Sequence, residues 1–174
     1  LPIRHWCLLA TLAATSAFAT DSGPPTLMTT RGRLLLSEDF AREPSNLSKA
    51  ATLLDLKSGW RLRPGRWEFA EGAMKGTQVA ADNHSAVAYY FLRYKDAVIQ
   101  FDVQLNGCRA AAFETADATP DHICTVVIDK NGFMAKKDDH DHAGPDQAVP
   151  FNRVALPFRP GEWKTVLLEI KGEE

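Results

Sequence analysis

Residues 136–147 read KKDDHDHAGPDQ and place four aspartates and two of the chain's five histidines in one short run. Imidazole and carboxylate are good ligands for divalent first-row metals. Histidine also titrates near neutrality, so the same groups can serve as general acid and base. Facing decides which of these groups work together. Asn131-Gly132 is a tight-turn signal, and the apolar residues Phe133 and Ala135 follow it at alternate positions. This predicts a hairpin whose return strand turns its odd residues to the core. Its even residues, Lys136, Asp138, His140 and His142, then share the other face, spaced roughly 6.5–7 Å apart. On this reading Asp138, His140 and His142 are the catalytic or chelating groups, with Asp139 and Asp141 behind them. If the strand stops at Asp138, the oxygens of Asp139, Asp141 and Asp146 form a loop suited to Ca2+ instead. The bland reading is a solvated loop. Charge-rich runs ending in Ala-Gly-Pro-Asp usually are one, and neither H-E-x-x-H nor EF-hand spacing is present.

Two further histidines are candidates if the fold brings their strand ends to the same place. His84 lies in AADNHSA, ahead of an apolar run, and His122 lies in TPDHIC, ahead of the strand that starts at Cys124. A lone loop histidine is more often incidental. His122 joins Asp138, His140 and His142 as a catalytic candidate, while Lys136, Lys137, His84 and Trp67 are candidate substrate contacts. Trp60, Trp67 and Trp163 can stack on sugar rings, although core filling is the ordinary role for at least two of the three. Arg61, Arg63 and Arg66 form either an anion site or the solvent face of a strand pair. There is no G-x-S-x-G elbow, no phosphate-cradling Gly-rich loop and no dinucleotide fingerprint.

The elements that must position these groups are short strands. AVIQFDVQL (97–105) alternates apolar and polar residues with period two, the pattern of a strand with one buried face. Strands are also predicted at 33–40, 66–70, 73–76, 124–128 and 163–170, with an apolar run at 86–92 and a short helical turn around 47–54. Glu71-Gly72, Asn131-Gly132 and Pro160-Gly161 separate them. Many short strands with little helix predict an all-β, antiparallel two-sheet sandwich or barrel. The 174 residues suffice for one domain, expected over 33–174 behind a polar linker at 20–32. A net charge of −2 without a basic cluster argues against nucleic acid as a partner.

The first nineteen residues read as a signal peptide. Arg4 precedes an apolar run from Leu8 to Ala14, and Ala17-Phe18-Ala19 supplies the small residues of a cleavage site. The run is too short to span a bilayer, so a periplasmic or secreted protein without a membrane span is expected. In an oxidising compartment Cys108 and Cys124 can form a disulfide, or they can be two separate buried thiols.

Taken in order, LLSEDF, GWRLRPGRWEFAEGAMKG, VIQFDVQLNGC, HICTVVI, KKDDHDHAGPD and PGEWKTVLLEIKGE resemble the 3-keto-disaccharide hydrolase domains of exported bacterial proteins, over about Leu34 to Glu174. The resemblance implies a concanavalin-like jelly roll, similar in fold to laminarinase-type glucanases and legume lectins, with a concave sheet that binds carbohydrate. It also implies further strands after Glu174, so that the sandwich is truncated here. The activity it implies is cleavage of glycosides oxidised at carbon 3, by elimination and then hydration. That chemistry needs a base and an enolate stabiliser, roles that a histidine, or a divalent metal held by His and Asp, can fill. The E-x-D-x-x-E strand of laminarinase-type enzymes is missing, which sets aside an ordinary retaining mechanism. The alternative is a non-catalytic, lectin-like module that binds glycans.

Overall fold

The computed structural model describes residues 23–41, 54–117, 121–139, 144–145 and 147–172. Eleven strands lie among them: β1 (Leu54–Asp55), β2 (Arg61–Leu62), β3 (Arg66–Ala70), β4 (Ala73–Thr77), β5 (Ala88–Tyr89), β6 (Ala97–Gln104), β7 (Ala110–Ala116), β8 (His122–Asp129), β9 (Gly132–Lys137), β10 (Val149–Ala155) and β11 (Trp163–Ile170). The only helical element among the described residues is a 3-10 turn, Ala80–Asp82. None of their helices is long and apolar enough to cross a membrane. The strands form four antiparallel sheets, ordered β1-β2-β5, β10-β9-β8-β7, β11-β6 and β3-β4. The architecture is therefore all-β with several antiparallel sheets.

The sheets enclose two apolar clusters. Leu62, Trp67 and Phe69 are buried together, with Phe40, Leu54, Leu56 and Met74 against them. This first cluster joins the β3-β4 hairpin to the β1-β2-β5 sheet. The hairpin turns on Glu71 and Gly72, both at positive φ (53° and 72°), as the twist of a two-residue connection favours. The second cluster is Leu105, Val126 and Ile128, packed with Phe101, Val103, Phe133, Ala135, Val166 and Leu168. It draws alternate residues from β6 and β11 on one side and from β8 and β9 on the other, so these two sheets face each other across it. Phe101 of β6 stacks on Phe113 of β7 at 5.2 Å between ring centroids. The alternation read in 97–105 is thus realised, with Phe101, Val103 and Leu105 pointing inward.

Several expectations change. Residues 33–40 make no strand, because they have no ladder partner among the described residues. The apolar run at 86–92 contributes only Ala88–Tyr89, leaving Phe91 and Leu92 exposed. Strand β8 starts at His122, two residues before Cys124. Its hairpin loop is Lys130-Asn131, closed by the Asp129–Gly132 pair, so the turn lies one residue earlier than the Asn-Gly signal suggests. Gly132 takes φ +146°, and a side chain there would strike the Val154 carbonyl oxygen. Cys108 is exposed and Cys124 half-buried, and both are free thiols. They form no disulfide, and only Cys124 fits the buried-thiol reading. The leader at 1–19 lies outside the described residues, as does the helical turn predicted around 47–54 apart from Leu54, which opens β1.

Part of the polar stretch at 20–32 is fastened to the fold. The Glu169 carboxylate, on the face of β11 opposite the second cluster, accepts bonds from the backbone amides of Leu27, Met28 and Thr29 at 2.7, 2.8 and 2.8 Å. The Thr29 hydroxyl donates to it as well, at 2.8 Å. Arg31 adds bonds to Gln100 of β6 and to the Pro24 carbonyl. Chiefly through the Leu27 amide, and despite desolvation, these donors hold the Glu169 carboxyl down at about 2. A carboxyl depressed by folding contributes stability above its unfolded pKa and loses it as pH falls through the folded value. The protection of the amides at residues 27–29, taken relative to their intrinsic exchange rates, should therefore be high at neutral pH and fall between about pH 4 and 2. Glu169→Gln should expose the same amides at pH 7. Unchanged protection in that variant would show that the clamp does not hold the segment.

Candidate functional site

The opening polar run meets the fold on the face of the β10-β9-β8-β7 sheet that points away from the second cluster. Directly opposite residues share a face, and the pairs Glu114–Thr125 and Thr125–Lys136 run across β7, β8 and β9. Val126 and Ala135, one position along, lie in the cluster on the other side. The facing read from Phe133 and Ala135 is therefore correct for Lys136. It also holds for Asp138, whose carboxylate reaches back to both Lys136 and Thr125.

Asp138 nevertheless differs from its expected role. Strand β9 ends at Lys137, yet the Asp138 amide still donates to the Ile123 carbonyl at 2.9 Å. The residue is only 7% exposed. Its carboxylate ion-pairs with the Lys136 ammonium and accepts a 2.5 Å bond from the Thr125 hydroxyl, itself buried. Burial pushes the carboxyl up, but Lys136, Thr125 and the more distant His122 outweigh it, and the net pKa lies below the usual carboxylate range. A carboxylate so engaged anchors Lys136 and is poorly placed to take a proton.

His122 reaches this face through an irregularity. Cys124 pairs with Thr115, but His122 pairs with Ala116, so β8 carries one extra residue. Strict alternation would turn His122 to the same side as Cys124 and Val126. The shift brings it opposite Ala116, and its Nε2 lies 3.3 Å from Oε2 of Glu114. Both side chains remain accessible, at 47% and 37%. With its proton on Nε2 the ring donates to Glu114, leaving the Nδ1 lone pair as the basic site. Glu114 was missed in the sequence because its role depends on that register shift. Only its position in the alternating run AAAFETA marked it as facing away from the core.

The other candidates are dispersed. Lys137 and Asp139 flank Asp138, each with interactions of its own. His84 follows the 3-10 turn, where it bridges to Val79 and its Nδ1 contacts the Ser85 carbonyl. No hydrogen bond or ion pair links it to His122 or Asp138 among the described residues. Trp67 is buried in the first cluster, and its indole N–H donates to the Arg63 carbonyl at 3.0 Å. That leaves it no surface for a sugar. Trp60 packs between Phe40 and Tyr90, whereas Trp163 is exposed. Arg61 and Arg63 pair with Asp55, and Arg66 with Glu68. Burial and then the Asp138 charge push the Cys124 thiol up, the direction opposite to that of an activated cysteine.

His140, Asp141, His142 and Asp146 lie outside the described residues. Among the described residues no group of three or more His, Cys, Asp or Glu side chains is placed to hold a metal ion. Asp138 is already engaged by Lys136 and Thr125, and it could ligate an ion only by releasing Lys136. No protein-family model, curated protein or solved structure matches the chain.

Proposed function

We propose that the protein is an exported carbohydrate-active enzyme of the concanavalin-like class that cleaves 3-keto-glycosides. The observation that carries this reading is the solvent-facing His122–Glu114 pair beside the anchored cation Lys136 on one sheet face. A ketone at carbon 3 acidifies the C2 proton. Nδ1 of His122 removes that proton, and the electron pair forms an enolate whose negative oxygen is stabilised by the Lys136 ammonium. Collapse of the enolate expels the anomeric substituent with its bonding pair, the substituent takes up a proton, and water adds to C1 of the resulting enone. Glu114 holds the imidazole in place through its Nε2. Asp138 holds Lys136. The order of sequence motifs and the all-β fold support the substrate class.

The direct test is release of the aglycone from a 3-keto-glucoside by the protein carrying its full 33–174 segment, with the matching unoxidised glucoside as control. Turnover of the keto substrate only, insensitive to chelator, is the expected result. No turnover of either would overturn the reading. Loss on chelation, together with loss in His140→Ala and His142→Ala, would move the chemistry from His122 to a metal held by the 136–147 run. Glycan binding without turnover, retained in His122→Ala, would establish the lectin-like alternative.

A further inference from the structure

The first cluster has an outer surface that the proposed chemistry does not use. Across the β1-β2-β5 sheet, Leu54, Leu62 and Ala88 form one row of paired residues, and Asp55, Arg61 and Tyr89 form the next. The first row points into the cluster. The second therefore points outward. Phe91, two positions beyond Tyr89, extends this face, and the two rings lie nearly parallel, at 22° and 6.5 Å. They are among the more exposed apolar side chains, Phe91 at 65% and Tyr89 at 41%. The Arg61 guanidinium sits 4.7 Å from the centre of the Phe91 ring.

The charges beside the rings are unequal. Asp55 serves two guanidiniums, Arg63 at 3.2 Å and Arg61 at 3.8 Å. Among the described residues, one carboxylate against two permanent cations leaves a positive charge at the edge of an aromatic surface. Aromatic faces accept the C–H face of a pyranose, since both are flat and apolar there. Guanidinium is the side chain that best matches a carboxylate, by its paired N–H donors. Asp55 supplies an acceptor for hydroxyl donors. Apolar stacking, surplus positive charge and an acceptor on one face together suit an acidic sugar better than a neutral one.

We propose that this face is a second carbohydrate site, which binds a pyranose bearing a carboxylate, with Tyr89 and Phe91 as the stacking surface and Arg61 and Arg63 as the carboxylate contacts. It takes from the functional reading only the ligand class, a sugar. The site holds a polysaccharide and does not react with it.

Affinity electrophoresis in a gel containing polygalacturonate, with a neutral β-glucan gel beside it, tests the assignment. Retardation in the polyuronate gel that weakens with added salt is expected for the wild-type chain. Tyr89→Ala with Phe91→Ala, and separately Arg61→Ala, should each weaken it by roughly tenfold or more. Because the aromatic side chains are exposed, the thermal midpoint should be kept. Turnover of a soluble 3-keto-glucoside should also be kept, so failure of this site and failure of the proposed activity are read separately. No retardation of the wild type, equal retardation by the neutral glucan, or full retention by the aromatic double variant would each overturn the proposal.

Discussion

Asp138→Ala is expected to lower the unfolding free energy by about 2–3 kcal/mol, since it leaves the buried Thr125 hydroxyl without its acceptor and the half-buried Lys136 ammonium without its partner. The side chain is nearly inaccessible, and it ion-pairs with Lys136 while accepting the Thr125 hydroxyl bond. Truncation leaves Lys136 facing a void and the buried Thr125 hydroxyl without its acceptor. Thr125→Val should cost less, about 1–2 kcal/mol, because the ion pair survives. The pH dependence follows the same pairing. Burial alone would raise the Asp138 carboxyl, but Lys136 and Thr125 bring it below its usual range. Its contribution is therefore complete above the unfolded value of about 4 and is lost as pH falls through the lower folded value. Urea titrations across this interval should show the wild type losing stability toward acid more steeply than Asp138→Ala. Parallel curves for the two proteins would show that the pair contributes nothing net.

His122→Gln is expected to reduce kcat on a 3-keto-glucoside by roughly 10²–10⁴, the usual contribution of a positioned general base. Glutamine keeps much of the volume and can still donate to Glu114, but it has no basic nitrogen. Glu114→Gln should have a smaller effect, about tenfold, because it weakens the hold on the ring's orientation rather than removing the ring. Lys136→Met should lower kcat with little change in KM if the ammonium acts on the enolate. That variant also strands Asp138, so its rate must be read alongside its urea midpoint. A His122→Gln enzyme with wild-type kcat would remove His122 from the reaction.

The legible parts of the fold were those with a strict local signal. The alternation of 97–105 reported the inward facing of Phe101, Val103 and Leu105 because a strand with one buried face must repeat every two residues. Glu71-Gly72 reported its turn because both positions take positive φ. RLLLSEDF looked equally strand-like, yet has no ladder partner among the described residues. Three consecutive leucines carry β propensity but no information about who pairs with them. Trp67 was ambiguous for a similar reason. A tryptophan in an alternating strand can stack outward or fill a core, and the hairpin's packing against Leu62 resolved it inward.

At the site, residue type and period were enough to place Lys136 and Asp138 together on the side opposite Phe133 and Ala135. A two-residue repeat carries that information within a single strand. Three things were beyond its reach. Asp138 is buried rather than solvent-facing, because the backbone pairing with Ile123 continues past the end of β9 and returns the carboxylate to Thr125. His122 faces Glu114 because one extra residue in β8 reverses its parity, and a bulge is a property of two paired strands rather than of either alone. Glu169 gathers three amides from a segment about 140 positions away in the chain, a contact that no local pattern encodes. Local periodicity sets which way a side chain points, while partners, burial and ionisation depend on residues distant in sequence, which only folding brings into contact.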